Sequence, residues 1–262
     1  MNKSIRLYAI LLLSALTMIG CGKSKTKLQK EISDLESMPN ATPEDKARIV
    51  GFYLEYANEY PTDSVSKEYL ITATIYNYAT GKNDVAIALG NQFLNTYDSC
   101  SQTQTAAVAI AKSYHKKGAS DSTISFYNKA LHMGQIDDSD LFKLLNAYTN
   151  VGAGNDDKKG PSALMKAADI TYYLIGPDSA APIYKQLWMR FGKSPLAPAA
   201  MFRQAQMEEE SKHIDDAVAT LNELIKTHPK SNFAKDAQIM ISKDLIGKTD
   251  EEKLEIITKG LN

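Results

Sequence analysis

Cysteine is nearly missing from the 262-residue chain: Cys21 and Cys100 stand against fourteen glycines and nine prolines. So few cysteines exclude a disulfide scaffold, and the dispersed glycines and prolines exclude collagen-like and low-complexity classes. Charge of one sign is lacking too, with 30 Lys+Arg against 31 Asp+Glu. That balance argues against a duplex-binding surface, which needs a concentrated basic face, and no nucleic-acid partner is expected. Strand signals are scarce, since no stretch alternates β-branched residues between turn pairs. Patterns that carry catalysis are absent as well. His115, His132, His213 and His228 form no His-Glu-x-x-His pair, and no Gly-x-Ser-x-Gly elbow occurs. Asp137, Asp138 and Asp140 lack the glycine and glutamate that a calcium loop needs at its sixth and twelfth places; Asp138 to Asp140 are expected to cap a helix start. Gly22-Lys23-Ser24 has Thr17 where a phosphate loop needs its first glycine. No metal, cofactor or small-molecule substrate is therefore expected, and the chain is read as non-enzymatic. What is present is apolar content of 44 %, enough to build a sizeable core.

The amino terminus speaks of location. Lys3 and Arg6 precede an apolar run of thirteen residues, Leu7 to Ile19. A membrane-spanning helix needs roughly 20 apolar residues, so this run has the length of a signal-peptide core instead. Met18-Ile19-Gly20-Cys21 then resembles the lipobox of bacterial lipoproteins. By that resemblance residues 1–20 are a signal peptide, Cys21 is lipidated, and the chain is anchored to the membrane through it. Two or three acyl chains hold durably, at about 0.8 kcal/mol per buried methylene. Gly22, not Asp, follows the cysteine, which by analogy favours the outer membrane of a Gram-negative bacterium, facing the periplasm. The absence of an acidic cluster after Cys21 disfavours display on the cell surface. Residues 21–40, with Lys23, Lys25, Lys27 and Lys30, are expected to form a lipidated, polar tether. Cys100 is expected to be a half-buried apolar residue at a helix junction.

The body, residues 41–262, repeats itself. Ile71 to Tyr78, Val108 to Tyr114 and Leu141 to Tyr148 are apolar at helical spacing, each followed by a glycine: Gly81, Gly118 and Gly152. Glycine suits a helix end at positive φ. Second helices follow at Val85 to Tyr97 and Ile124 to Met133, and further ones at Ser162 to Leu174 and Ser179 to Phe191. The strongest unit opens at Pro198, continues through Ala205, restarts at Asp215-Asp216-Ala217 and stops at His228-Pro229. Tyr60-Pro61-Thr62-Asp63-Ser64, Phe191-Gly192-Lys193-Ser194-Pro195 and His228-Pro229-Lys230-Ser231 repeat one corner.

This pattern resembles the tetratricopeptide repeat, with Ala205, Ala217 and Pro229 at family positions, over roughly Thr62 to Ile241. Gln204 stands where a large apolar residue is usual, and the repeat register between 152 and 195 is left open. The resemblance implies an all-α solenoid of antiparallel helix pairs, about twelve helices in all. In a lipid-anchored chain it looks most like outer-membrane assembly lipoproteins of the BamD type and the periplasmic repeat protein of the Tol-Pal system. First-helix places left free by the repeat core usually face a groove: here Tyr78, Lys112, His115, Phe142, Asn146, Tyr173, Phe202 and Gln206. The implied function is a scaffold that offers this groove to an envelope protein or peptide, in outer-membrane protein assembly or envelope maintenance. Two alternatives stay open: a glycan or peptidoglycan binder, weakened by the single tryptophan Trp188, and an enzyme with a site assembled from scattered residues.

Overall fold

The computed structural model describes residues 23–97 and 100–259, and these form thirteen α-helices with no strand. Residues 1–20 and Cys21, on which the signal-peptide and lipidation expectations rest, lie outside the described residues. The chain divides into two units, residues 1–76 and residues 77–262, where the sequence reading expects one domain from residue 41.

The first unit contains α1 (Lys25–Glu36), α2 (Pro43–Glu59) and most of α3 (Ser66–Ala79). The expected polar tether is thus a helix. Leu28 and Ile32, one turn apart, are fully buried and pack α1 onto α2; the surrounding lysines masked this stripe in the sequence. Thr42 and Asp45 form a reciprocal capping box at the start of α2. Tyrosines fill the space between α2 and α3: Tyr53 stacks on Tyr69 at 4.5 Å, and Tyr56 meets the same ring edge-on at 5.2 Å. Asp63 ties these pieces together. It pairs with Lys25, accepts the Tyr56 hydroxyl at 2.9 Å and accepts the Val65 N–H at 3.1 Å.

The second unit holds the end of α3, then α4 (Asn83–Thr96), α5 (Thr103–Lys116), α6 (Ser120–Leu131), α7 (Asp138–Ala153) and α8 (Gly160–Leu174). It continues with α9 (Pro177–Arg190), α10 (Ala197–Glu210), α11 (Ile214–Thr227), α12 (Asn232–Ser242) and α13 (Asp250–Lys259). From α4 to α12 each helix packs on the next, and α5 also touches α7 as α10 touches α12. This is the helix-pair solenoid implied by the resemblance.

Two connections alternate, and each has a physical cause. Within a pair the turn is two or three residues long and uses one residue at positive φ: Gly81 (78°), Gly118 (70°), Gly176 (124°) and Lys212 (67°). Between pairs the chain uses the corner seen in the sequence. Tyr60, Tyr97, Phe191 and His228 end their helices with φ between −121° and −132° and ψ between 45° and 65°, each N–H still reaching the carbonyl four residues back. Where the corner's next turn is described, the N–H three residues on closes it, as with Ser194 to Phe191 and Ser231 to His228.

Between α3 and α12 the alternation slips once. Residues 154–159, between α7 and α8, span six residues with no positive φ, like a between-pair corner. Yet α7 already enters through the between-pair connection 132–137. Helix α7 is therefore a first helix toward α5 and α6 and a second helix toward α8. That is why the sequence leaves the repeat register between 152 and 195 open. Gly152, expected to end a helix at positive φ, instead lies inside α7, where a Cβ would sit 2.7 Å from the Leu164 side chain, so its missing side chain lets α8 approach.

Two outcomes test these assignments. The hydrogen bond from Lys25, then those from Val65 and Tyr56, hold the Asp63 carboxyl down at about 2. Its contribution is complete above the ordinary carboxylate value and is lost as pH falls through about 2, so carboxyl NMR should give a midpoint near 2 that rises in Lys25→Ala. Lys212 occupies a backbone region that favours glycine, so Lys212→Gly should stabilise the fold by about 1 kcal/mol, read as a melting point higher by about 2–4 °C.

Candidate functional site

The expected groove residues begin on α5 and α7. Asp137 caps α7 from an extended backbone, its Oδ1 accepting the Asp140 N–H at 2.8 Å. The capping role expected of Asp138 to Asp140 thus belongs to Asp137, which lies just outside the helix as a cap must. Asp140, one turn in, is 2 % exposed and does other work. It accepts the Tyr127 hydroxyl at 3.0 Å, Lys112 Nζ at 2.9 Å and Lys143 Nζ at 2.9 Å. Burial first, then the Asp140 charge, pushes the Tyr127 hydroxyl far up, so it remains a donor. Lys112 is therefore engaged in a charged network joining α5, α6 and α7, which the sequence reading did not anticipate. The only local signal there was Lys143, three residues from Asp140; Tyr127 and Lys112 come from other helices.

Both ammonium groups also act on the Asp137 carboxylate, so two lysines face two aspartates here. His115 follows Lys112 by about one turn; burial and then the Lys143 charge lower its pKa, which keeps the imidazole neutral at pH 7. Phe142 and Asn146 are exposed one turn apart on α7, with Asn150 Nδ2 donating to Asn146 Oδ1 at 3.2 Å. Tyr78 is half-buried, with Lys116 Nζ 5.8 Å from its ring centre. Phe202 leans on Phe233 of α12 at 5.7 Å and packs partly into the core of α10, α11 and α12; Gln206 is half-buried on α10.

Tyr173 lies elsewhere. It is 73 % exposed and lines a cleft of about 600 Å³ formed by α6, the 132–136 segment, α7 and α8. Leu131, Ile136, Leu141 and Ile170 make the apolar walls, and Leu144 and Tyr148, both buried, make the floor. Asn128 holds the Tyr148 hydroxyl, donating from Nδ2 at 2.9 Å. Lys166 and Asp169 stand one turn apart on the rim, Asp169 accepting the Tyr184 hydroxyl at 2.7 Å. The cleft exists because α7 serves two partners, and no residue pattern in the sequence announces it. Sequence reasoning found only Tyr173.

The slip that opens the cleft is locked from the other end. Arg190 donates to the Gly152, Ala153 and Gly154 carbonyls at 2.8, 3.0 and 2.9 Å, satisfying the carboxyl end of α7. The Phe191 ring then covers Gly160, where a Cβ would lie 2.5 Å away. In the neighbouring pair, Gln204 shows why it replaces an apolar residue. It is 3 % exposed, accepts Trp188 Nε1–H at 2.6 Å and donates to Glu208 Oε1 and Thr220 Oγ1. Trp188 is partly buried between two core clusters. Cys100 is half-buried at the junction before α5, with Sγ 3.7 Å from the Tyr97 carbonyl. Among the described residues no group of three or more His, Cys, Asp or Glu could hold a metal ion, and no helix is long and apolar enough to cross a membrane.

Residues 199–231, which comprise most of α10, all of α11 and the corner after it, match the tetratricopeptide repeat family. Comparison with curated proteins gives no match. Among solved structures the chain is similar to YrrB, a tetratricopeptide-repeat protein with an unusual peptide-binding site, at 14 % identity over 71 % of this chain and 97 % of that one, with a TM-score of 0.35. It is similar to the TPR2AB domain of yeast Sti1 in complex with pHSP90, at 18 % identity over 89 % of each chain and a TM-score of 0.37. A tetratricopeptide repeat protein from Parabacteroides merdae is 15 % identical over 91 % of this chain and 79 % of that one, with a TM-score of 0.32.

The close approach of α7 and α8 can be measured. Gly152→Ala should cost about 2 kcal/mol in urea unfolding, the scale of overpacking. Gly51→Ala, where nothing lies within 4 Å of the added Cβ, should cost nothing. Equal midpoints for the two variants would refute the assignment.

Proposed function

We propose that the chain is a lipid-anchored envelope protein whose helix-pair array binds a protein or peptide partner through the first-helix faces of α5, α7 and α10. The observation that carries this reading is the repeat itself: a segment matching the tetratricopeptide repeat continues into stacked pairs whose first helices leave Phe142 and Asn146 exposed. One helical hairpin cannot bury its own apolar stripe, so pairs stack and leave one face preformed. A partner that docks on a preformed face does not have to order its host, which lowers the entropic cost of binding. Phe142 supplies apolar area and Asn146 a polar group one turn away.

The location is argued from Met1 to Gly22 alone. The basic start, the short apolar run and the lipobox-like Met18-Ile19-Gly20-Cys21 support lipidation at Cys21, and Gly22 supports the outer membrane with the body in the periplasm. A role in outer-membrane protein assembly or envelope maintenance is the specific form of this proposal.

A palmitate analogue should label the wild-type chain and leave Cys21→Ala unlabelled; equal labelling would refute the anchor. Crosslinking in intact envelopes should recover one partner reproducibly, and Phe142→Asp should reduce that yield at least tenfold without changing helicity. Undiminished capture by Phe142→Asp, or binding of cell-wall glycans in its place, would overturn the groove assignment.

A further inference from the structure

The carboxyl-terminal helix α13 is well formed but buries none of its residues. Thr249 and Glu252 close a reciprocal cap at its start, the Thr249 N–H donating to Glu252 Oε2 at 2.7 Å and the Glu252 N–H to Thr249 Oγ1 at 3.3 Å. One carboxylate fastens it to the array: Glu209 Oε1 accepts the Gly247 N–H at 2.9 Å and Lys253 Nζ at 2.8 Å. A helix of ten residues gains little from its own hydrogen bonds in water and depends on an apolar face being covered. That face is Leu254, 64 % exposed, and Ile257, with Asp250 and Glu251 about one turn earlier on the same side. Four acidic and two basic residues from Asp250 to Lys259 make it a poor ligand for an anionic lipid surface.

The complementary surface belongs to the same chain. The cleft between α6, α7 and α8 offers apolar walls at Leu131, Ile136 and Ile170 and an exposed Tyr173 edge; on its rim the Asp169 carboxylate is held by the Tyr184 hydroxyl, and the Lys166 ammonium stands one turn away. Two apolar side chains one turn apart, led by carboxylates, match apolar walls led by a lysine. We infer that the cleft receives helix α13 of a second copy of the chain, Leu254 and Ile257 entering between the walls and the Asp250–Glu251 turn lying against Lys166. Each copy carries one helix and one cleft, so a reciprocal exchange closes at two copies with two such contacts.

The test uses the full chain in detergent, with the photocrosslinker p-benzoylphenylalanine at position 173 and equal amounts of isotopically heavy and light protein. The expected result is crosslinks joining position 173 to residues 250–259 across heavy and light copies, together with a dimer in sedimentation equilibrium. Leu254→Glu combined with Ile257→Glu should weaken that dimer at least tenfold; both side chains face solvent, so helicity should stay unchanged. Lys166→Glu should weaken it about fivefold, and Lys166→Glu with Glu251→Lys should restore it. Crosslinks within one copy only, crosslinks to another segment or another protein, or a dimer unaffected by the substitutions would overturn the inference.

Discussion

Close helix packing through very small side chains is the constraint on which this architecture rests. Alanine recurs wherever neighbouring helices meet: Ala111 between α5 and its partners, Ala163 and Ala167 on α8, Ala180 on α9, Ala200 and Ala205 on α10, Ala217 on α11 and Ala234 on α12, all buried. Each such alanine lets a large neighbour seat itself, as Leu221 and Leu224 do beside Ala205 and Ala217. The larger apolar groups then fill the gaps between helices, with Tyr127 and Phe93 among the bulkiest. An interior built this way is dense and intolerant of added volume. Glycine takes the same role where even a methyl group is too much, at Gly152 beneath Leu164 and at Gly160 beneath Phe191.

The slip at α7 follows from this packing. Once Gly152 permits α8 to lie directly on α7, the chain can add one helix without adding a pair. The cost is a helix end that points its carbonyls toward the next segment, and Arg190 meets it with a charged fork that reaches three of them. The same departure opens the cleft, because α6 and α8 now flank α7 from sides that a regular alternation would close. Buried polar groups cluster on either side of it: Asp140 with Tyr127, Lys112 and Lys143, and Gln204 with Trp188, Glu208 and Thr220. Each is nearly fully partnered, which favours one arrangement of the helices over shifted alternatives.

Much of this was legible in the residues. Helix class, the turn glycines Gly81 and Gly118, the corners at Tyr60, Phe191 and His228, and the Ala205–Ala217 contact all follow from local chemistry, where one or two residues decide the backbone. The parts that were not legible depend on distant partners. The α1 stripe of Leu28 and Ile32 is two residues long among lysines, too short to register as periodicity. Asp140 looked like a cap because its neighbours are acidic; only the positions of Tyr127 and Lys112 on other helices make it a buried ion. The candidate groove fared similarly. Local spacing found Phe142 and Asn146 as open positions on α7, yet it could not show that Lys112 is already paired, that Phe202 leans on Phe233, or that Tyr173 belongs to a separate cleft.

A ruler whose graduations shift by half a step midway cannot measure a long straight object. Toward residue 77, α7 counts as the inner member of its pair; toward residue 242, it counts as the outer one. The helices before α7 and those after it are therefore set half a pair out of step, and one helix carries both counts.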